Sequence, residues 1–472
     1  MELLATLDPA DADATACLGR VMAAILRPGD VIALRGPVGA GKTHFARALI
    51  RARQGPLAEE VPSPSFTLVQ TYADPSGTEI WHADLYRLGD PGELAELGLD
   101  EAMEGGIVLI EWPEHGTPLP DALDLAIAPV PGFDDLRRIT MRGAPARWGH
   151  VARLPAMVRL IHRAGWAGAR LVPLAGDASA RRYFRLAEDD RSAVLMDAAP
   201  GSTDAQVAMT RWLRARGFHA PEILAADQAE GLLLLEDLGD DLVARVLAAR
   251  PDLAARVHDR MTDLLVDLHR HPPPDFLPRL DGPELARQVA LFAEYWPAAA
   301  GTPGLGGAIA PLVAELHAGL AEDLPPVTGL RDYHAENIVW RGEAPLGLLD
   351  FQDAVAVHPA YDLVSCLQDA RRDVPEAIEQ AQIARYIAAT GVDPARFRAA
   401  YALLGAQRNL RIMGIFTRLA VQQGKRRYLA MMPRVWAAIA RDLAHPALAP
   451  LARAIEGIPP PRPAILDRIG RP

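Results

Sequence analysis

The segment from Gly36 to Thr43, Gly-Pro-Val-Gly-Ala-Gly-Lys-Thr, most constrains what this chain can fold into. It fits the pattern G-x-x-x-x-G-K-[ST] and lies between a short apolar run, 30–34, and a helical pattern, 43–53. Backbone N–H groups of such a loop and of the following helix N-terminus point at anionic oxygens. The sequence therefore predicts an α/β domain with a phosphate-binding loop. The predicted nucleotide ligands are Gly36, Gly39, Gly41, Lys42 and Thr43, with the Thr43 hydroxyl on Mg²⁺.

Lysine usage supports this interpretation. The chain has 49 basic residues, but only Lys42 and Lys425 are lysines. A compact ammonium suits the β- and γ-phosphates of a nucleotide. Apart from Lys425, the other basic positions of the chain are arginines. A chain that avoids lysine and keeps one at this position is therefore expected to bind ATP there.

Length and composition set the broad class. With 472 residues, half of them hydrophobic, the chain is long enough for two or three domains. Two distant cysteines indicate neither a disulfide framework nor a zinc site. No basic signal region opens the chain, and no apolar run approaches 18 residues. We therefore expect no membrane association and a cytoplasmic location.

Charge is spread unevenly along the chain. Residues 1–150 hold 12 basic and 22 acidic residues, so they carry nearly all of the net charge of −11. Direct nucleic-acid binding relies on cationic contacts with phosphates. An acidic first domain therefore argues against strong direct binding of RNA, and any role in an RNA process is expected to depend on a protein partner.

Three regions are predicted along the chain. Residues 1–146 form the phosphate-loop domain, which ends at a short joint containing Pro145. Residues 151–240 hold several strand-like segments, and residues 241–472 are mostly helical by period and composition. The proline-rich tail after Ile458 is predicted to be extended.

Two carboxylates are predicted beside the phosphate loop. The apolar run 107–110 leads directly into Glu111, and an alternating segment ends at Asp84. An acid at the C-terminal end of a strand near a phosphate loop is placed to serve as a second Mg²⁺ ligand. Glu111 is the candidate for that role. Asp84 is predicted either to bind the metal through water or to orient the attacking water.

Taken together, these features resemble the TsaE-type ATPases of tRNA threonylcarbamoyladenosine biosynthesis, over residues 1 to about 145. The motifs that carry the resemblance are G-x-x-G-x-G-K-T at 36–43, S-P-S-F-T-L at 63–68, H-A-D-L-Y-R at 82–87 and I-E-W-P-E at 110–114. The resemblance implies ATP hydrolysis by a protein docked on TsaD/TsaB-like partners that modify adenosine 37 of tRNA. It also implies phosphate and Mg²⁺ binding by Lys42 and Thr43, Mg²⁺ binding by Glu111, and support of hydrolysis by Asp84.

A second phosphate chemistry is encoded near residue 332. Asp332 and Asn337 are five residues apart, and Asp350 follows at the end of an apolar run. Phosphoryl transfer of the kinase type uses one Asp to accept the proton of the acceptor hydroxyl, and an Asn and a second Asp to hold Mg²⁺. Asp332 is therefore the predicted base, and Asn337 and Asp350 are the predicted metal ligands. The structural alternative is an Asx-capped turn before a hairpin.

The strands before this cluster are predicted to form a kinase-like lobe. Segment 174–185 is predicted to form two strands joined by a turn that covers the phosphates of the nucleotide. Segment 232–239, which contains Glu236, is predicted to form the strand and hinge where the adenine stacks. A kinase normally has a lysine on a following strand. None is present here, so either an arginine supplies the charge or this half is catalytically inactive. The candidate arginines are Arg181, Arg182 and Arg185.

This half resembles the aminoglycoside phosphotransferase and choline kinase superfamily, and more narrowly the anomeric N-acetylmuramate/N-acetylglucosamine kinases of cell-wall recycling. The segments that carry the resemblance are 176–179 with 181–183, 194–197, 234–239, 331–334 and 349–354. It covers about 154–455 and implies an α+β protein-kinase-like fold with a helical C-lobe. It also implies ATP-dependent phosphorylation of the C1 hydroxyl of the amino sugar, in peptidoglycan recycling.

Other function classes stay open at this point. The first domain is also compatible with a small-molecule P-loop kinase that needs no protein partner. The second is also compatible with a kinase for another hydroxyl substrate, such as an aminoglycoside or choline, or with a non-catalytic nucleotide-binding regulator.

Overall fold

The structure is a computed structural model that describes residues 1–88, 98–119, 121–174 and 181–471. It divides into two compact units. The first unit comprises residues 1–207 and 222–237, and the second comprises residues 208–221 and 238–472.

The first unit contains two sheets and the helices around them. Its strands are β1 (Glu2–Ala10), β2 (Val31–Arg35), β3 (Val69–Ala73), β4 (Glu79–Asp84), β5 (Ile107–Glu111), β6 (Leu123–Val130), β7 (Phe133–Gly143), β8 (Arg170–Leu174), β9 (Arg182–Glu188), β10 (Arg191–Asp197), β11 (Ile223–Asp227) and β12 (Leu232–Glu236). Its helices are α1 (Ala12–Ala23), α2 (Lys42–Gln54), α3 (Leu99–Gly105), α4 (Pro145–Trp148), α5 (Leu154–Arg163) and α6 (Asp204–Arg214), the last of which continues into the second unit.

The first sheet confirms the predicted α/β domain. Its strand order is β1-β7-β6-β2-β5-β4-β3, and the central strands β6, β2, β5 and β4 run parallel to one another, while the outer strands pair antiparallel. β5 is buried along its whole length, as expected for a parallel strand covered on both faces. The phosphate loop connects β2 to α2, so it opens at the carboxyl edge of the parallel strands.

The second sheet is antiparallel, in the order β11-β12-β10-β9-β8. Strands β8, β9, β10 and β12 confirm the strand-like segments predicted within 151–240. The four leucines of β12 are all buried, because alternate side chains enter two different hydrophobic clusters, one on each face.

Both sheets of the first unit share one hydrophobic core. α5 lies between them and packs on α1 and β12, and Leu154, Val158 and Ile161 are buried in the same cluster as the first sheet. Polar contacts join the same regions, since the Arg20 guanidinium donates to the carbonyl of Ala167 at 2.9 Å. The predicted joint near Pro145 is short and leads straight into this packing, while the predicted domain boundaries themselves stay predictions.

The second unit is mainly helical, as predicted. Its helices are α7 (Val243–Ala249), α8 (Ala254–Leu268), α9 (Gly282–Ala300), α10 (Ile309–Leu320), α11 (Ala360–Leu367), α12 (Glu376–Thr390), α13 (Pro394–Gln423), α14 (Met432–Leu443), α15 (Ala449–Ile455) and α16 (Pro463–Gly470). Four short strands form two antiparallel pairs: β13 (Val327–Gly329) with β16 (Val355–Val357), and β14 (Ile338–Val339) with β15 (Gly347–Leu348). The long helix α13 runs through the core that these elements surround.

The predicted extended tail is wrong in part, because α16 occupies residues 463–470. Pro463 stands at the first position of this helix, where its missing N–H removes no intrahelical hydrogen bond. Across the described part of the chain, the helices lack the combination of length and apolar character that crossing a membrane requires.

Candidate active sites

The phosphate loop has a backbone shape that depends on glycine. Gly36 has a φ of 139°, and a Cβ on it would lie 2.2 Å from the carbonyl oxygen of Ile127. Gly41 has a φ of 109° immediately before α2. A side chain at either position forces the loop out of this shape, so the N–H groups lose their arrangement around a phosphate.

Lys42 is held inside its own loop. Its ammonium donates to the carbonyl oxygens of Gly36 at 2.9 Å and Pro37 at 3.1 Å, and it lies 3.7 Å from the centroid of the Trp112 ring. Burial lowers the pKa of Lys42, while the carboxylates of Glu111 and Asp84 act in the opposite direction. The lysine is therefore close to both predicted carboxylates and has donors that a phosphate can capture from the loop carbonyls.

The structure brings Asp84 and Glu111 together at one sheet edge. β4 and β5 are parallel, with Asp84 directly opposite Glu111, and Glu111 is opposite Leu34 at the end of β2. Both carboxylates are buried. Asp84 accepts hydrogen bonds from the hydroxyls of Ser63 at 3.0 Å and Ser65 at 2.7 Å.

Glu111 is oriented by a histidine. Its Oε1 lies 3.0 Å from Nε2 of His82, and both side chains are buried. The hydroxyl of Thr43 and the carboxylates of Asp84 and Glu111 are hard oxygen donors of the type that Mg²⁺ prefers. Among the described residues there is no group of three or more His, Cys, Asp or Glu side chains arranged to hold a metal. One or two carboxylates together with phosphate oxygens and water are the usual ligand set for Mg²⁺, so the donors present fit that ion.

Sequence reasoning did not identify the partners of these carboxylates. Ser63 and Ser65 stand 21 and 19 residues before Asp84, and their role follows only from the fold. Trp112 has a φ of 57°, a left-handed conformation that is unusual for a large side chain. This backbone conformation places the Trp112 ring on Lys42. In the sequence, the pattern Glu-Trp-Pro after a strand indicates the position of this tryptophan but not its contact with the lysine.

The second site lies on a loop and hairpin of the second unit. The pairing of β14 with β15 places Asn337 beside Leu349, whose N–H donates to the Asn337 carbonyl at 2.9 Å. The Asn337 amide Nδ2 donates to the backbone carbonyl of Asp332 at 3.0 Å and lies 3.5 Å from Oδ2 of Asp350. The three predicted residues are thus together, and the Asn337 amide is oriented so that its oxygen remains available as a ligand.

A buried carboxylate fixes the loop that carries Asp332. Asp362 accepts hydrogen bonds from the backbone N–H groups of Leu330 at 2.5 Å and Arg331 at 2.9 Å. Burial raises the pKa of Asp362 to about 7, although these two hydrogen bonds oppose the change. Arg331 has a φ of 70°, so this clamp holds a left-handed residue directly before the predicted base.

Asp332 itself is in a partly desolvated place. Burial raises its pKa above the ordinary value, and the guanidinium of Arg408 is the largest opposing influence. A carboxylate with a raised pKa is a stronger proton acceptor than one at the surface, which suits the base role predicted for it.

The predicted nucleotide residues of the antiparallel sheet lie in the first unit. Arg182 Nε donates to Oδ2 of Asp197 at 3.0 Å, and Arg185 Nη2 donates to Oδ1 of Asp237 at 3.1 Å. Glu236 ends β12 and accepts the N–H of Glu222 at 3.1 Å. Arg181 directly precedes β9 and is partly buried. The glycine-containing turn predicted at 176–179 lies outside the described residues.

Two family models match the chain in separate regions. The model for the threonylcarbamoyl adenosine biosynthesis protein TsaE matches residues 9–132. The model for the phosphotransferase enzyme family matches residues 170–400. The first match contains the phosphate loop and the second contains the loop of Asp332.

Curated relatives divide in the same way. The chain is 39% identical to an N-acetylmuramate/N-acetylglucosamine kinase of Caulobacter vibrioides, over 61% of this chain and 91% of that protein. It is 34% identical to a protein of the same name from Pseudomonas aeruginosa, over 62% of this chain and 89% of that protein. A tRNA threonylcarbamoyladenosine biosynthesis protein TsaE of Rickettsia bellii is 45% identical, over 21% of this chain and 71% of that protein.

Proposed function

Because this chain belongs to the TsaE family in its N-terminal part and to the N-acetylmuramate/N-acetylglucosamine kinase family in the rest, we propose that it supports tRNA modification and phosphorylates amino sugars. It is an ATP-using phosphotransferase enzyme fused to a TsaE-type ATPase.

The first activity is hydrolysis of ATP that supports threonylcarbamoylation of tRNA adenosine 37 by TsaD/TsaB-like partner proteins. The observation that carries it is the register of Asp84 with Glu111 beside the Lys42 loop. Lys42 and the loop N–H groups bind the phosphates, and Thr43 and Glu111 hold Mg²⁺, which neutralises phosphate charge when bound. Asp84, fixed by two serine hydroxyls, orients the attacking water.

The test of this activity uses the full chain and purified TsaD/TsaB-like proteins. We expect ATP hydrolysis by the phosphate-loop site to rise when these proteins are added, and modified tRNA to form only when the chain is present. Hydrolysis that depends instead on a small-molecule acceptor, without any effect of the proteins, would contradict the proposal and favour a P-loop small-molecule kinase. The assay is repeated with the Asp332→Asn variant in place of the unchanged protein, so that ATP turnover by the second site does not contribute to the signal.

The second activity is transfer of the γ-phosphoryl group of ATP to the C1 hydroxyl of N-acetylmuramate or N-acetylglucosamine. The observation that carries it is the grouping of Asp332, Asn337 and Asp350 on one loop and hairpin. Asp332 accepts the proton of the C1 hydroxyl as its oxygen bonds to phosphorus, and the bond between phosphorus and the β,γ-bridging oxygen breaks to release ADP. Asn337 and Asp350 are the proposed Mg²⁺ ligands.

The residues of the antiparallel sheet complete this proposal. Arg182 is held by the carboxylate of Asp197, much as kinases hold a basic side chain with an acid for contact with the α- and β-phosphates. We assign Arg181 and Arg182 to these phosphates and Glu236 to the adenine side. The proposed domains are residues 1–146, 151–240 and 241–472. The proposed place of action is the cytoplasm, where ATP and tRNA are found, with the kinase serving peptidoglycan recycling.

A screen with radiolabelled ATP tests the substrate class. The full chain is incubated with amino sugars, with aminoglycosides and with choline, and phosphorylated products are separated. We expect label on N-acetylmuramate and N-acetylglucosamine, in a product that is not reducing because C1 is blocked. Label on aminoglycosides or choline alone would overturn the sugar assignment, and absence of any product with retained ATP binding would favour a regulatory domain.

A further inference from the structure

Three arginines surround the proposed base of the sugar kinase. Arg331 directly precedes Asp332, and Arg408 and Arg411 lie one turn apart on α13. The pKa of Asp332 is raised by burial, and the charges of all three guanidiniums oppose that change, so all three are near its carboxylate. The carboxylate of Asp350 also acts on Asp332, in the direction that raises its pKa, and Asp362 lies near the same group.

Arg408 holds the cluster together from within. Its side chain is only 7% exposed, and its Nη2 donates to the Ser365 hydroxyl at 2.8 Å. That hydroxyl in turn reaches the backbone carbonyl of Arg331 at 3.5 Å. The buried Nη1 of Arg408 has no hydrogen-bond partner in the described part of the chain. Arg408 therefore anchors α13 to the loop and keeps one donor unused.

Arg331 and Arg411 are the two members that an incoming molecule can reach. Both are partly exposed. Within residues 1–88, 98–119, 121–174 and 181–471, neither guanidinium forms a hydrogen bond or an ion pair. Glu284 is near enough to feel the charge of Arg331, but its carboxylate is already bonded to Arg287 and Gln288.

Such an arrangement is costly unless an anion completes it. Burial lowers the pKa of Arg411, and the charges of Arg331 and Arg408 act in the same direction, whereas Tyr361 and Asp332 oppose the change. Like charges brought together in a partly dry place destabilise the fold until an opposite charge arrives. Planar guanidiniums are well suited to grip a carboxylate through paired hydrogen bonds.

The two proposed sugars differ in such a group. N-acetylmuramate carries a lactyl ether on C3, two ring carbons from the C1 hydroxyl that Asp332 must contact, and this ether ends in a carboxylate. N-acetylglucosamine has a hydroxyl on C3 instead. We propose that Arg331 and Arg411 form a subsite for the lactyl carboxylate of N-acetylmuramate, with Arg408 as the buried residue that positions them. This inference rests on the proposed sugar-kinase function.

The test removes the charge from the protein and from the sugar separately. The full chain and its Arg411→Gln variant are assayed with N-acetylmuramate and with its methyl ester, which lacks the carboxylate charge. Esterification should lower kcat/KM of the unchanged protein roughly 10- to 100-fold, as expected for loss of a charge-assisted hydrogen bond. In Arg411→Gln esterification should lower kcat/KM by a clearly smaller factor, because only Arg331 is left to bind the carboxylate.

Other outcomes separate the explanations. If both proteins lose the same factor on esterification, or neither loses any, the subsite is refuted. If Arg411→Gln lowers turnover of N-acetylglucosamine as strongly as that of N-acetylmuramate, the arginine acts on phosphate instead and the proposal fails. Should the variant not fold, the unchanged protein alone decides, because equal rates for acid and ester exclude the subsite.

A matched control lies on the same helix. Arg396 is in the first turn of α13, mostly exposed, and paired with Asp323 at 3.2 Å. Fifteen residues of helix, roughly 22 Å, separate it from Arg411. Arg396→Gln removes the same charge and should leave the response to esterification unchanged. Failure of the unchanged protein to phosphorylate either sugar would count against the proposed function itself, and is thereby distinguished from failure of the subsite.

Discussion

The side-chain amide of Asn337 donates a hydrogen bond to the backbone carbonyl of Asp332 at 3.0 Å, which ties a proposed metal ligand to the loop of the proposed base. Asn337→Ala should therefore damage both metal binding and the position of Asp332. We expect sugar phosphorylation to fall at least 100-fold and the Mg²⁺ concentration for half-maximal rate to rise. Asn337→Asp restores a metal ligand but not the donor, so it should recover the Mg²⁺ response more than kcat.

The comparison is made by titrating Mg²⁺ at saturating ATP and sugar. Ser365→Ala, which changes a neighbouring hydroxyl that bonds the same loop at 3.5 Å, is the control for a general disturbance. An unaltered Mg²⁺ requirement in Asn337→Ala would remove this residue from the metal site.

Replacing the base should stop the kinase without stopping nucleotide binding. Asp332→Asn keeps the size of the side chain but removes the proton acceptor, so we expect kcat for N-acetylmuramate to fall by about 10³-fold or more while ATP still raises the melting temperature. The measurement pairs initial rates with thermal unfolding in ATP. Turnover close to that of the unchanged protein would exclude Asp332 as the base.

The chain offers an unusual control for its phosphate loop. Lys42→Ala should abolish partner-stimulated ATP hydrolysis, because no other side chain supplies the ammonium that the loop holds, while sugar phosphorylation changes by less than about twofold. Lys425→Ala removes the only other lysine and should not affect that hydrolysis. Both activities are measured on the same full-length preparations. Joint loss of the two activities in Lys42→Ala would show that the sites do not act independently.

A buried histidine predicts a pH effect on stability. Burial lowers the pKa of His269 to about 3, below the value of about 6.5 expected in the unfolded chain. The unfolded state therefore binds more protons between these values, so this stabilising contribution is complete above about pH 6.5 and is lost as pH falls toward 3. His269→Gln removes this titration. The free energy of unfolding of the variant minus that of the unchanged protein should therefore increase by about 1.4 kcal/mol for each pH unit of acidification below pH 6.5.

Only the difference between the two proteins isolates this effect. Burial raises the pKa of Asp362 to about 7, and this group titrates in the opposite sense over an overlapping range. Urea unfolding at pH 7.0, 6.0 and 5.0 gives the comparison. His115→Gln, at an exposed position, serves as the control. A constant difference between His269→Gln and the unchanged protein across this range contradicts the prediction.

Truncation tests how far the first catalytic region extends. A fragment of residues 1–146 lacks Trp148, Leu154, Val158 and Ile161, which are buried in the core of the first sheet. Each such side chain contributes about 1.5–3 kcal/mol when buried, so their combined loss is comparable to the 5–15 kcal/mol stability of a typical domain. We expect fragment 1–168 to unfold at a higher temperature and to aggregate less than fragment 1–146. Equal melting temperatures would support an independent domain that ends near residue 146.

The sequence predicted most of the fold because its signals were local. The run into Glu111, the Gly36 loop and the spacing of Asp332 from Asn337 each lie within a few residues, and each element formed as predicted. The α16 helix was missed because proline richness was interpreted as extended chain, although Pro463 is compatible with a helix start.

The partners of the site residues could not be predicted in the same way. Ser65 with Asp84, and Asp362 with Arg331, are brought together by sheet register and helix packing rather than by spacing. From sequence alone, Arg408 is not distinguishable from the basic residues that usually lie on solvated helix surfaces. Arg408 is buried instead, because the helix runs through the core.

The helix α5, packed between the two sheets of the first unit, couples the stability of two sheets that serve different proposed reactions. A substitution that loosens this helix lowers the folded population of both the phosphate-loop sheet and the antiparallel sheet at once. A single amino-acid replacement in this helix, distant from every reacting atom, is therefore expected to lower both proposed activities together.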